Sequence, residues 1–61
     1  MHKFEVTIKN KHDGNTWTMQ WDAHTFGGAE KKTWYQLEEV NGSGWTDHYE
    51  IIRIEKDYDN G

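Results

Sequence analysis

The stretch His2-Lys3-Phe4-Glu5-Val6-Thr7-Ile8-Lys9-Asn10-Lys11-His12-Asp13-Gly14-Asn15-Thr16-Trp17-Thr18-Met19-Gln20-Trp21-Asp22 decides the fold. Its first residues alternate: His2, Phe4, Val6 and Ile8 fall on one side, Lys3, Glu5, Thr7 and Lys9 on the other. Successive side chains of a pleated backbone point to opposite faces, so this pattern predicts a strand with one face buried. Asp13-Gly14 then reverses the chain, because these residues tolerate the positive φ that tight hairpin turns require. Beyond the turn Trp17, Met19 and Trp21 alternate with Thr16, Thr18, Gln20 and Asp22. Residues 2–22 therefore read as an antiparallel hairpin, with Phe4, Val6, Ile8, Trp17, Met19 and Trp21 on the covered face.

Downstream, Ala23 to Gly28 reads as a connection broken by Gly27-Gly28. Good helix formers follow from Ala29 to Val40, where Thr33, Leu37 and Val40 make a stripe that can face a sheet, with Trp34 beside it. Glu30 lies near the end of this helix that favours negative charge, and Asn41-Gly42 supplies a left-handed stop. Glu38 and Glu39 run against the dipole at the other end, a mild cost that solvation alone did not require. Ser43 to Asp47 is expected to be a loop carrying Trp45. In the last strand, His48 to Lys56, Glu50, Ile52 and Ile54 share one face, and Tyr49, Ile51, Arg53 and Glu55 share the other. Apolar bulk on both faces implies that both are at least partly covered. The expected class is α+β: a three-stranded antiparallel sheet with one helix, in the order β-β-α-β. One domain spans residues 1–61, with Asp57 to Gly61 as a frayed tail.

A chain of 61 residues removes only about 60% of its unfolded surface from water, which leaves little net stability. Cysteine is absent, so neither a disulfide nor a thiolate zinc site can help. Four Trp, three Tyr and two Phe offer large apolar area instead, and a partner or second copy offers more. The formal net charge of −4 argues against nucleic acid or an anionic membrane as the ligand. No apolar run reaches the length of a membrane span or a signal peptide, and a cytoplasmic location is expected.

Catalytic and metal chemistry find little footing. His2, His12, His24 and His48 show neither helical i, i+4 pairing nor metal-site spacing. There is no cysteine nucleophile and no G-x-S-x-G, and Gly42-Ser43-Gly44 lacks the Lys of a phosphate loop. A domain this small hardly encloses a cleft able to shift the pKa of an acid or base. The expectation is a protein that is not an enzyme and uses no cofactor. Trp17 and Trp21 are most simply core, whereas Trp34, Tyr35, Trp45 and Tyr49 exceed what one small core absorbs. Exposed Trp and Tyr beside carboxylates suit a protein-contact surface, or a sugar-stacking platform made of Trp34, Trp45 and Tyr49. Glu30, Glu38, Glu39, Asp47, Glu50, Glu55, Asp57 and Asp59 either keep the chain soluble or imitate a row of phosphates.

Several segments resemble a known family, the small uracil-DNA glycosylase inhibitors of Bacillus-infecting phages. Phe4-Glu5-Val6-Thr7-Ile8 is similar to their first strand, Asp13-Gly14 to their hairpin turn, and Trp17 to Trp21 to their aromatic second strand. Glu50-Ile51-Ile52-Arg53-Ile54 resembles their last strand. About half of the chain is covered. The loop from Gly42 to Asp47 is longer than theirs, and the helix has no position-by-position match. The resemblance implies a homodimeric DNA mimic whose paired helices line an apolar pocket for a side chain of the glycosylase. The contact residues would be Trp34, Tyr35, Glu38, Glu39 and Trp45. The expected partner is thus a host DNA repair or nuclease protein, with uracil-DNA glycosylase first and a restriction or CRISPR nuclease as the alternative. A carbohydrate- or peptide-binding module and a purely structural dimerisation adaptor are the competing classes.

Overall fold

The computed structural model describes residues 1–57 and contains β1 (His2–Asn10), β2 (Thr16–Ala23), α1 (Phe26–Asn41), a 3-10 turn (Trp45–Asp47) and β3 (Tyr49–Asp57). This is the α+β arrangement expected, in the order β-β-α-β. The sheet order is β2-β1-β3, with both neighbours antiparallel to the central β1. Phe4 opposes Trp21, Val6 opposes Met19 and Ile8 opposes Trp17. The hairpin therefore aligns its apolar sets on one face, since a slip by one residue would turn a whole set outward.

The reversal itself is wider than a two-residue turn. Asn10 N–H donates to Asn15 O at 2.8 Å and Gly14 N–H to Asn10 O at 2.9 Å. Of the Asp13-Gly14 pair only Gly14 has a positive φ, +77°. Asn10 Oδ1 and Asp13 Oδ1 accept from the N–H groups of His12 and Asn15, at 2.8 Å each, occupying donors that a loop would otherwise leave to water.

The helix begins three residues earlier than Ala29. Thr25 is extended and its Oγ1 accepts from Gly28 N–H at 3.0 Å, satisfying one of the free donors of the first turn. Gly27 and Gly28 are thus helical and do not break the chain. A Cβ at Gly28 would make only ordinary van der Waals contact with the Ala23 Cβ, at 3.4 Å, so packing there does not require a glycine. With the start moved to Phe26, Glu30 falls outside the first turn and gains little from the dipole. The stop lies where expected. Gly42 has φ +82° and its N–H donates to Glu38 O at 2.7 Å.

Ala29, Thr33 and Leu37, spaced four apart, are the buried residues of α1. Thr33 satisfies its hydroxyl on Ala29 O at 3.0 Å, so burial leaves no orphan donor. They close over Phe4, Val6, Ile8 and Ala23 to form the core. Val40, expected in the same stripe, is 69% exposed and lies outside the cluster, whereas half-exposed Phe26 at the other end packs its ring against Phe4 at 4.9 Å. Sixteen residues make about 24 Å of helix, and the last turn reaches past the small core. Trp17, Met19 and Trp21 sit against the core but stay half-buried, because β2 is an edge strand.

β3 departs most from its expected pattern. Ile8 opposes Ile51 while Thr7 opposes Arg53, so Ile52 is an extra residue in a β-bulge. The bulge shifts the phase of the alternation. Tyr49 and Ile51 before it, and Ile54 after it, pack on the core side, whereas Ile52 is exposed on the other. The reading of two apolar faces is overturned, and the second face of the sheet is left open. That face carries Lys3, Glu5, Thr7, Lys9, Thr18, Gln20 and Arg53, with an exposed Arg53–Glu55 pair at 2.7 Å. Of the proposed tail, Asp57 closes β3 and residues 58–61 lie outside the described residues.

Candidate functional site

Trp34, Trp45 and Tyr49 come together around a cleft of about 280 Å³ between α1 and the start of β3. Three separate elements deliver them. Trp34 lies about 100° round the helix from the buried Thr33, which sets it on the flank rather than underneath, 40% exposed. Tyr49 opens β3 on the core side, its ring edge-on to Trp17 at 5.3 Å. Trp45 begins the 3-10 turn where a plain loop was expected. Ile51 adds an aliphatic surface to the lining.

The turn that carries Trp45 is stapled to the β1–β2 loop. Lys11 N–H donates to His48 O at 2.8 Å, and Lys11 Nζ donates to Thr46 O at 2.7 Å. His12 Nε2 meets His48 Nδ1 at 2.7 Å, one ring nitrogen donating to the other. Trp45 N–H and Asp47 N–H close the turn on Gly42 O and Gly44 O, at 3.3 and 3.1 Å. Residues 35 to 37 positions apart in sequence are thus joined at one end of the sheet, and Trp45 is held against the core rather than left on a free loop.

Of the residues singled out from sequence, Trp34 and Trp45 share the cleft lining, and Tyr35, Glu38 and Glu39 do not. Tyr35 lies about 200° from Thr33 round the helix, on the outward surface, and is 71% exposed. Glu38 and Glu39 are exposed in the last turn, which holds no basic residue. The cleft instead draws its carboxylates from Glu30, one turn before Trp34, and Glu50, together with Lys11 and Thr46. From sequence alone Glu30 and Glu50 belong only to the row of carboxylates that could imitate phosphates, and Lys11 and Thr46 have no contact role, because the cleft is closed by the packing of distant segments. The notion that so small a domain encloses no cleft holds only for an enclosed cavity; this one is open.

Among the described residues no group of three or more His, Asp or Glu side chains could hold a metal ion, and the His12–His48 pair stands alone. No helix of the described residues is long and apolar enough to cross a membrane. Comparison of the chain with family models, curated proteins and solved structures finds no match.

Proposed function

We propose that the chain is a non-catalytic protein inhibitor that occupies the DNA groove of a host DNA-handling enzyme, uracil-DNA glycosylase first. The observation that carries this reading is the surface of α1. Trp34 and Tyr35 are exposed aromatics, and one turn later Glu38 and Glu39 are exposed carboxylates with no basic neighbour in that turn. Apolar anchors provide most of the affinity at such a surface, while the carboxylates meet the Lys, Arg and backbone donors that hold phosphates. The likeness of both hairpin strands and of β3 to the phage inhibitors supports the choice of target. A uracil-excision assay with purified glycosylase and equimolar protein tests it. Stoichiometric loss of cleavage is expected; undiminished cleavage at large excess removes the glycosylase and passes the question to restriction and CRISPR nucleases.

The proposal includes a homodimer. Its support is now the edge of the sheet rather than the faces of β3. β3 guards its edge with a bulge, Arg53 and Lys56, whereas β2 pairs with β1 without interruption and has neither proline nor a basic residue. An edge left open in this way is a template for a second strand.

A second reading is favoured by the cleft. Trp34, Trp45 and Tyr49 on one lining suit a stacked sugar or peptide side chain, as in a carbohydrate- or peptide-binding module. Retention on an insoluble polysaccharide, with no effect on any DNA enzyme, would favour it.

A further inference from the structure

The cleft has a chemistry of its own, separate from the outward surface of Tyr35 and Glu39. Its lining combines three aromatic side chains, Trp34, Trp45 and Tyr49, with the carboxylates of Glu30 and Glu50. The single basic residue there, Lys11, already has its ammonium on Thr46 O at 2.7 Å. Two carboxylates against one ammonium leave the lining with a net charge of 1 − 2 = −1. Electron-rich ring faces and uncompensated negative charge attract the same ligand, a cation with a weakly hydrated planar or alkyl surface. A volume of about 280 Å³ falls just under that of drug-sized pockets and suits one side chain rather than an extended ligand.

We propose that this cleft is a receptor for one cationic side chain of a partner protein, an arginine guanidinium. Arginine is favoured over lysine because its plane stacks on indole and phenol faces while its N–H fork reaches a carboxylate. The assignment of that arginine to a DNA-handling enzyme rests on the reading above, since such enzymes present arginines to phosphates. The cleft's preference for a guanidinium does not rest on it. The occupant differs from the apolar side chain that the inhibitor-family resemblance implies.

The test uses the intact protein alone, with N-acetylarginine methylamide and its neutral isostere N-acetylcitrulline methylamide as probes. The four indole N–H signals are followed by NMR, with Trp21, which takes no part in the cleft lining, as the internal reference. The arginine probe should shift Trp34 and Trp45 saturably and bind at least about fivefold more tightly than citrulline, the discrimination expected of a cation–π contact helped by a carboxylate. Glu30→Gln and Glu50→Gln should each weaken the arginine probe about threefold or more, and Glu5→Gln on the open sheet face should leave it unchanged. Equal binding of citrulline, no shift with either probe, or shifts confined to Trp17 and Trp21 would each overturn the proposal. So would a soluble oligosaccharide that moves Trp34 and Trp45 where arginine does not. Arginine binding without inhibition of uracil excision keeps the cleft and removes the glycosylase; inhibition without arginine binding does the reverse.

Discussion

At the scale of single residues, exposure separates what a side chain does for the fold from what it offers a partner. Tyr35 is 71% exposed and lies outside the core cluster. Tyr35→Ala should therefore shift the urea-derived stability by no more than about 0.5 kcal/mol. The same substitution should weaken the complex with the target by about 2 kcal/mol or more, read by calorimetry, as for a buried anchor. Thr25 is the opposite case. Its hydroxyl caps Gly28 N–H at 3.0 Å, and no function is asked of it. Thr25→Ala should cost about 1 kcal/mol of stability and leave binding alone. A stability loss at Tyr35 as large as at Thr25 would show that the tyrosine belongs to the fold.

At the scale of elements, the bulge in β3 is the feature with the largest consequences. It decides which of two adjacent isoleucines faces the core: Ile51 joins it, while Ile52 is 49% exposed. Ile51→Ala should cost about 2 kcal/mol or more, and Ile52→Ala well under half of that. Chemical denaturation of the two variants distinguishes this from unbroken alternation, in which Ile52 and Ile54 would pair in cost and Ile51 would stand apart. The bulge also keeps Tyr49 on the core side, where it meets Trp17 and lines the cleft. Without the extra residue, the start of β3 would present Glu50 to the core and Tyr49 to the open face. The aromatic lining thus depends on one unpaired residue.

For the whole molecule, charge and edges set how it meets others. Under the proposed function, a net charge of −4 with Glu38 and Glu39 exposed on α1 would steer the chain toward a basic groove, an effect that acts chiefly on the association rate. Glu39→Lys should slow association with the target, and the deficit should shrink as salt is raised through the range where the Debye length falls below about 10 Å. Stopped-flow mixing at two ionic strengths reads both. The unguarded edge of β2 concerns self-association. Light scattering at micromolar concentration should give twice the 7.3 kDa chain mass, and Thr18→Lys, mid-strand on the exposed face of β2, should return it to the single mass. A monomer in the parent protein would sink the dimer.

Local patterns in the sequence determined the three strands and the helix, but not the 3-10 turn at Trp45–Asp47. Alternation in His2–Asn10 and Thr16–Ala23, the turn chemistry around Gly14 and the stop at Gly42 each act within a few residues, so a short window suffices to read them. Helix onset was misread because Gly27-Gly28 looks like a breaker until Thr25 is seen to cap it. Of the four aromatics read as surplus to the core, Trp34 and Tyr35 are exposed, whereas Trp45 and Tyr49 pack against it. The phase of β3 was settled only by pairing with β1, where Ile52 is left unpaired between the Thr7–Arg53 and Ile8–Ile51 pairs, and nothing local marks which strand position that will be. The cleft is likewise tertiary. Glu30, Trp34, Trp45 and Tyr49 meet because Lys11 and His12 bind a turn more than thirty residues away, and a contact of that range depends on the whole chain having folded.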